Sequence, residues 1–164
     1  MFDLTEQEMV LRVLAALVLG GLVGFEREVK NRSAGIRTHA LAAEGAALFT
    51  MAAVLVTEAA FKAGYEPADP TRIISTIVQG IGFLAAGVIF ARGVRVRGLT
   101  TAAGLWVTAS LGVLCGGGFF FLAIVATITT TSVLAGLKVI EDRFFPDIHP
   151  DGASEVEDGE DGED

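Results

Sequence analysis

Residues 73–90 read IISTIVQGIGFLAAGVIF and contain no charged side chain. A helix buried in a soluble protein usually keeps a polar stripe that recurs every 3.6 residues, and this stretch has no charged stripe. This stretch lies in an apolar segment over residues 73–91, and four others occur along the chain, at about residues 9–25, 39–57, 99–115 and 119–137. Since a bilayer core of about 30 Å requires roughly 20 apolar residues of helix, the pattern predicts an all-α, polytopic membrane helix bundle with five transmembrane helices.

The composition agrees with this prediction. The chain has 164 residues, of which 52% are hydrophobic, and its mean hydropathy is +0.58. Five apolar segments in a chain of this length would leave too little polar surface to cover a soluble fold. The net charge of −8 comes from residues 147–164, which contain nine acids and no lysine or arginine. We therefore predict a transmembrane domain over residues 1–143 and a disordered acidic tail over residues 144–164.

The basic residues predict the orientation of the chain in the membrane. With five spans, one side of the membrane receives nine of them: Arg27, Lys30, Arg32, Arg37, Arg92, Arg95, Arg97, Lys138 and Arg143. The other side receives only Arg12, Lys62 and Arg72. Arg12 lies one turn into the first span, so we expect its side chain to extend to the membrane surface. Because loops rich in lysine and arginine stay in the cytoplasm, we expect the N-terminus outside and the C-terminal tail inside the cytoplasm.

The sequence lacks the motifs of several classes of functional site. The single Cys115 and two distant histidines offer neither a disulfide nor zinc-ligand spacing. There is no GxSxG, P-loop or HExxH motif and no paired aspartate within a span. Basic residues interleaved with aromatics, which would indicate nucleic-acid binding, are also missing. We therefore expect a non-enzymatic protein of the lipid bilayer without cofactor, metal or nucleic acid.

Small residues recur at four-residue spacing in the first and fourth segments. Gly20 and Gly24 form a GxxxG pair, and the fourth segment continues the spacing through Gly104, Thr108, Gly112 and Gly116. Such faces let helix backbones approach closely in lipid. Packing within one bundle and a dimer interface are both open interpretations.

The charged segment after the first span predicts a helix that continues into the cytoplasm. Glutamate precedes a base by four residues in the pairs Glu26–Lys30 and Glu28–Arg32, a spacing that supports helix. We expect this helix to end near Gly35 and the second helix to be capped by Thr38.

Three polar residues within or beside the spans are candidates for function. Glu44 is expected a turn and a half into the second helix, as a cation or proton site, in an ion pair with Arg37, or at the interface where it reaches water. Gln79 is a neutral polar residue of the third segment. His39 could titrate near neutrality, although a simple interfacial position is the plainer interpretation.

Two stretches together resemble the signatures of the MgtC/SapB family. Residues 20–46 contain GGLVGFERE and AGIRTH, and residues 72–109 contain GIGFLAAGVI, GLTTAA and WVTA in that order. The likeness extends over most of residues 10–138. Its matching motif positions are Glu26, Arg27, Glu28, Arg37, Thr38, His39, Gly80, Gly82, Gly87, Gly98, Thr100 and Thr101. The chain departs from the pattern at Ala85, where a glycine is expected, and at Glu44, where an apolar residue is usual.

The resemblance implies an inner-membrane protein linked to magnesium limitation and to restraint of the ATP synthase. It also implies a short form, since an acidic tail replaces the folded cytoplasmic domain of longer members. We expect action in magnesium or ion homeostasis, or modulation of another membrane complex such as the ATP synthase. A small ion transporter or channel using Glu44 and Gln79 is the alternative, and an oligomeric scaffold is a third possibility. A membrane-protein partner and a homo-oligomer are both open.

The site is expected on the cytoplasmic side. A compact bundle would bring the ends of helices one to four together. We therefore predict that the loop residues Glu26, Arg27, Glu28, Arg37 and His39 lie opposite a second group formed by Arg92, Arg95 and Thr100.

Overall fold

The computed structural model describes residues 5–66, 69, 71–92 and 95–144, and over these residues the fold is helical. Its elements in chain order are α1 Glu6–Val29, α2 Ile36–Lys62, α3 Thr71–Gly87, β1 Phe90–Arg92, β2 Arg95–Arg97, α4 Leu99–Gly116 and α5 Phe120–Phe144. The predicted all-α class is therefore confirmed apart from one short antiparallel hairpin of β1 and β2. The acidic residues 145–164 lie outside the described residues.

Three helices of the described chain are long and apolar enough to cross a membrane, namely α1, α2 and α4. Two shorter apolar segments accompany them, namely α3 (Thr71–Gly87) and the Phe120–Gly136 part of α5. At about 1.5 Å of rise per residue, a 17-residue helix such as α3 extends roughly 26 Å, slightly less than the hydrocarbon core. The count of five spans therefore stays a prediction.

The joint between α1 and α2 differs from the predicted one. Helix α1 ends at Val29, before Gly35, and Gly35 is instead the N-cap of α2. Thr38 is exposed within the first turn of α2 and does not cap it. Glu28 performs that role, because its Oε2 accepts the backbone N–H of Ile36 at 2.8 Å. A side chain eight residues away has replaced the local cap that the sequence suggested.

The core of the bundle is built from small side chains. Helices α1, α2 and α4 pack mutually, while α3 packs on α4 and α2 and α5 packs on α1 and α4. One buried cluster joins four helices through Ala16, Ala43, Ala47, Cys115 and Ala123. Small residues bring the helix axes close together. The hydrophobic effect does not drive helix association in lipid, so van der Waals contact between the close helices supplies the association energy.

The glycines of α1 and α4 pack within the bundle. A Cβ atom at Gly24 would lie 2.7 Å from the carbonyl oxygen of Gly35, and one at Gly116 would lie 2.7 Å from that of Ala47. Gly20 and Gly112 are equally tight against α2. The two small-residue faces are therefore used for intramolecular packing, one of the two interpretations that the sequence left open.

The segment after α3 folds differently from the predicted continuous helix. The sequence favoured a third helix as far as Ala91, whereas α3 ends at Gly87 and the chain enters a two-stranded antiparallel hairpin. Phe90 pairs with Arg97, and Gly98 follows with φ +91 as the N-cap of α4. Ile89 and Phe90 before residues 93–94 and Val96 after them are residue types that are enriched in strands.

Arg12 links α1 to α4 at the end of the bundle opposite the hairpin. Its Nη1 donates to the carbonyl oxygen of Gly116 at 2.6 Å, at the last residue of α4. The last carbonyls of a helix have no partner within the helix, and a guanidinium satisfies one of them with a charge-assisted bond. Arg12 was expected to extend toward the membrane surface, but it instead joins α1 to α4.

Arg12→Gln should therefore lower the free energy of unfolding by about 2 kcal/mol, the range expected for a hydrogen bond to a charged group. Far-UV circular dichroism during titration of detergent-solubilised protein with sodium dodecyl sulfate would measure the change. Arg32→Gln is the matched control, because Arg32 is exposed and its side chain makes no hydrogen bond or ion pair in the described residues. Equal stability of the two variants would contradict the helix-end role of Arg12.

Candidate functional site

A group of charged side chains lies where α1 meets α4, with Arg27 buried and Lys30 partly exposed. Glu26 Oε1 is 2.7 Å from Lys30 Nζ, and Glu26 Oε2 is 3.6 Å from Arg27 Nη1. Arg27 is 3% exposed, and its Nη2 donates to the hydroxyl of Thr101 at 3.3 Å. We call Glu26, Arg27, Lys30 and Thr101 the ion-pair cluster. One acid thus lies between two bases, so the cluster carries a net positive charge inside the fold.

The ion-pair cluster also reaches α5. Lys30 Nζ donates to the carbonyl oxygens of Leu134 and Ala135 at 3.3 and 3.5 Å. Sequence spacing explains only part of this arrangement. The Glu26–Lys30 pair has the predicted i,i+4 spacing, whereas the contacts to α4 and α5 join residues more than 70 positions apart. The predicted Glu28–Arg32 pair is not formed among the described residues, because Glu28 binds the Ile36 amide instead.

His39 is buried at the crossing of α1, α2 and α4. Its side chain is 0% exposed, and Nδ1 lies 3.0 Å from the carbonyl oxygen of Gly35. A proton on Nδ1 satisfies that carbonyl and leaves Nε2 as an acceptor with no partner among the described residues. A Cβ atom at Gly104 would lie 3.5 Å from Nε2, so the imidazole fits against a glycine of α4. The imidazole is therefore enclosed by the bundle, and its interfacial depth stays a prediction.

Gly98 fixes the entry of the chain into α4, next to Thr101. Its φ of +91 lies in the region that favours glycine. A Cβ atom there would also overlap the carbonyl oxygen of Val88. This motif glycine thus acts on the site through the backbone, by setting where the first turn of α4 begins.

Gly98→Ala should cost about 2 kcal/mol of unfolding free energy, from the positive φ together with the overlap at Val88. It should also loosen the Arg27–Thr101 contact, which would raise amide hydrogen exchange in the first turn of α4. Gly87→Ala serves as the control, since a Cβ atom at Gly87 meets no described atom within 4 Å. Unchanged exchange in Gly98→Ala would contradict this role.

The remaining motif residues do not join this group. Arg37, Thr38 and Thr100 are exposed, and a Cβ atom at Gly80, Gly82 or Gly87 would meet no described atom within 4 Å. Arg27 contacts Thr101, the neighbour of the predicted Thr100, and Thr100 itself is exposed. The side chains of Arg92 and Arg95 lie outside the described residues, so their part of the prediction that the two loops meet stays open.

Glu44 lies apart from the ion-pair cluster. It is half-buried on α2 and makes no hydrogen bond or ion pair in the described part of the chain, so the suggested pair with Arg37 is not formed. One turn further along α2, Leu48 lines an apolar cavity of about 390 Å³ between α1 and α2. Met9, Val13, Met51 and Leu55 line the same cavity. Glu44 thus borders the α1 side of α2.

Among the described residues, no group of three or more histidine, cysteine, aspartate or glutamate side chains could hold a metal ion. The charges that the fold gathers are mostly basic and already engage one another. What this arrangement can do is hold three helices, α1, α4 and α5, together at one end of the bundle. It also leaves exposed bases around that fixed point, among them Arg32, Arg37 and Arg97.

Comparison with known proteins places these residues in a family context. The model of the MgtC family matches residues 13–143. The chain is 49% identical over 123 residues to "Protein MgtC" of Brucella abortus (strain 2308), covering 75% of this chain and 48% of that protein. It is 50% identical over 119 residues to "Protein MgtC" of Salmonella typhimurium (strain LT2), covering 73% and 48%. The chain spans about half the length of these curated relatives. No solved structure matches it significantly.

Proposed function

The chain belongs to the MgtC family, and from this premise we propose that it is a non-enzymatic, multi-pass protein of the inner membrane that acts in magnesium or ion homeostasis by modulating another membrane complex. The ATP synthase is the first complex to test. The observation that carries the proposal is the ion-pair cluster, in which the charges of Glu26, Arg27 and Lys30 are engaged with each other at one end of the bundle. Charges held in this way stabilise a rigid surface and do not mark a route across the membrane.

The exposed bases near the ion-pair cluster are the proposed contact surface. Arg32 and Arg37 lie at the α1–α2 joint, and Arg97 lies in β2 at the entry to α4. The contact from Arg27 to Thr101 holds these two segments together beneath that surface. A basic surface of this kind suits an acidic loop of a partner, and complementary charge mainly sets the association rate and specificity.

We place this surface in the cytoplasm, with five spans and the N-terminus outside. The bases Arg27, Lys30, Arg32, Arg37 and Arg97 belong to the end of the bundle where α1 stops and α4 begins, and Arg12 belongs to the opposite end at Gly116. This separation agrees with the positive-inside rule. Helices α3 and α5 would then be the third and fifth spans.

Proton pumping by everted membrane vesicles tests the modulator proposal. Pumping driven by ATP should be weaker in vesicles that contain the chain, and Arg37→Glu should remove this effect. Arg72→Glu is the matched control, because Arg72 is also exposed but lies at the start of α3. Equal pumping with and without the wild-type chain would count against the ATP synthase, and co-purification after cross-linking would then identify any other partner.

A small ion transporter is the second candidate, and the half-buried Glu44 without a partner in the described residues is the observation that favours it. Magnesium and proton flux into liposomes that contain the purified protein would test it, with Glu44→Gln as the control variant. Flux that the substitution abolishes would replace the modulator with a transporter. Within one copy, Gln79 is exposed on α3 whereas Glu44 borders α1, so the two do not lie along one path.

A further inference from the structure

Helix α5 brings the C-terminal part of the chain to the end of the bundle that carries the ion-pair cluster. Lys30 Nζ donates to the carbonyl oxygens of Leu134 and Ala135, so this part of α5 lies beside the end of α1. Helix α5 then continues from Ala135 to Phe144, which is roughly 14 Å at about 1.5 Å per residue. The chain after Phe144 therefore starts from the same end of the bundle as the exposed bases named above.

That end exposes positive charge that the described residues leave without a partner. Arg32, Arg37 and Arg97 are exposed, and none of their side chains makes a hydrogen bond or ion pair in the described part of the chain. We call these three arginines, which belong to the contact surface proposed above, the basic surface. Glu28 lies at the same α1–α2 joint, but its Oε2 accepts the backbone N–H of Ile36. The acid of the ion-pair cluster is likewise engaged by its own two bases.

The sequence supplies the opposite charge a short distance beyond α5. Residues 147–164 contain nine acids and no lysine or arginine, whereas the other eleven acids and twelve bases of the chain nearly cancel. We call residues 147–164 the acidic segment. At about 3.3 Å per extended residue, residues 145–164 reach at most roughly 66 Å, which exceeds the roughly 40 Å length of α2. The basic surface is therefore within reach of the acidic segment of the same chain.

The other surroundings of the acidic segment are unfavourable to its charges. Hydrocarbon excludes carboxylates, and on the cytoplasmic side proposed above the anionic headgroups repel them. A single exposed ion pair contributes little, and salt screens exposed charges beyond about 8 Å. Covalent attachment offsets this weakness, because a segment tethered to its own binding surface is present at about millimolar effective concentration.

We propose that the acidic segment binds the basic surface of its own chain. The contact itself rests on the charges and on the position of α5. Its consequence rests on the proposed function, in which the same arginines receive an acidic loop of a partner. The acidic segment competes with that loop, and the partner's apparent affinity falls in proportion to the fraction of copies in which the basic surface is free.

Disulfide formation within one chain tests the contact. Ser154→Cys lies in the acidic segment, and Thr38→Cys lies beside Arg37 in the exposed first turn of α2. The matched control carries the same two cysteines, with the nine acids replaced by asparagine and glutamine, so that the length of the tether is unchanged. In vesicles of zwitterionic lipid, the acidic form should close its disulfide about fivefold to tenfold faster, the low end of the effect of electrostatic steering. The native Cys115 is buried, and a chain with Thr38→Cys alone controls for reaction with it.

Substitutions in the bundle then locate the contact. Glutamine at all three arginines of the basic surface should remove the rate difference between the acidic and the amide forms. Arg72→Gln is the matched control, because Arg72 is also exposed but lies at the start of α3, and the difference should persist there. Salt at 1 M should also remove the difference, since it screens charges beyond about 3 Å.

Three outcomes would overturn the contact. Equal rates for the acidic and amide forms would show that charge does not hold the segment. A difference that persists after all three arginines are replaced would show that the segment binds elsewhere. Loss of the difference in vesicles that contain anionic lipid would show that headgroups occupy the basic surface in a membrane.

The everted-vesicle experiment tests the competition separately. At equal amounts of chain, the amide form should inhibit proton pumping more strongly than the acidic form. Equal inhibition by the two forms would overturn the competition. If the wild-type chain and the amide form both leave pumping unchanged, the proposed modulation of the ATP synthase fails, whereas the disulfide rates still decide whether the acidic segment binds.

Discussion

Glu26→Gln is expected to lower the free energy of unfolding by about 3–5 kcal/mol, the cost of leaving buried charge without its partner. Glu26 is the only acid of the ion-pair cluster, and it lies 2.7 Å from Lys30 and 3.6 Å from Arg27. Glutamine keeps the size of the side chain but removes its charge. The guanidinium of Arg27, with 4% of its side chain exposed, would then lie beside Lys30 with no counter-charge from the cluster.

Glu58→Gln provides a matched control for this variant. Glu58 also pairs with a lysine at i,i+4, at 2.9 Å, but Lys62 keeps 53% of its side chain exposed. Exposed pairs contribute about 0–1 kcal/mol, so this substitution should change stability little. Unfolding in mixed micelles, followed by circular dichroism, would compare the two. Similar losses for both variants would mean that the ion-pair cluster is solvated in the membrane and does not hold the helices together.

The sequence predicted the helical periodicity well, whereas the predicted Thr38 cap and the Glu28–Arg32 pair are not formed. Charge-free stretches and small residues at four-residue spacing depend on positions within one helix, and periodicity reveals them directly. The same holds for the Glu26–Lys30 pair, whose spacing indicated the contact that the fold contains. The family motif likewise pointed to Arg27 and Thr101 before any contact between them was known.

Contacts between distant segments were not predictable in this way. Arg12 was expected to reach the membrane surface because it lies near a helix start, and nothing nearby in the sequence indicates the Gly116 carbonyl 104 residues away. His39 follows Arg37 and Thr38, which are exposed, and only its position on the inner face of α2 buries it. The sequence indicated the pair of Lys30 with Glu26, whereas the fold also brings α5 to Lys30. Periodicity identifies faces, but it does not say which faces meet.

Gly112→Ala should cost about 3 kcal/mol, the upper end of the range for overpacking a core. A Cβ atom at Gly112 would overlap the backbone carbonyl of Ala43 and would lie 2.8 Å from the Cβ atom of Ala46. Neither group is the end of a flexible side chain, so α2 and α4 would have to separate. That separation would also affect His39 of α2, whose imidazole packs against Gly104 of α4.

Gly45→Ala separates this effect from the general effect of replacing a glycine. Gly45 lies on α2 between Ala43 and Ala46, the two residues that Gly112 contacts. A Cβ atom at Gly45, however, would meet no described atom within 4 Å. The added methyl group should therefore stabilise the helix by about 0.5–1 kcal/mol. Opposite signs for the two variants in the same unfolding titration would support close packing of α2 on α4. If Gly112→Ala were neutral or stabilising, the two helices would have to be farther apart in the membrane, and the burial of His39 between them would no longer follow.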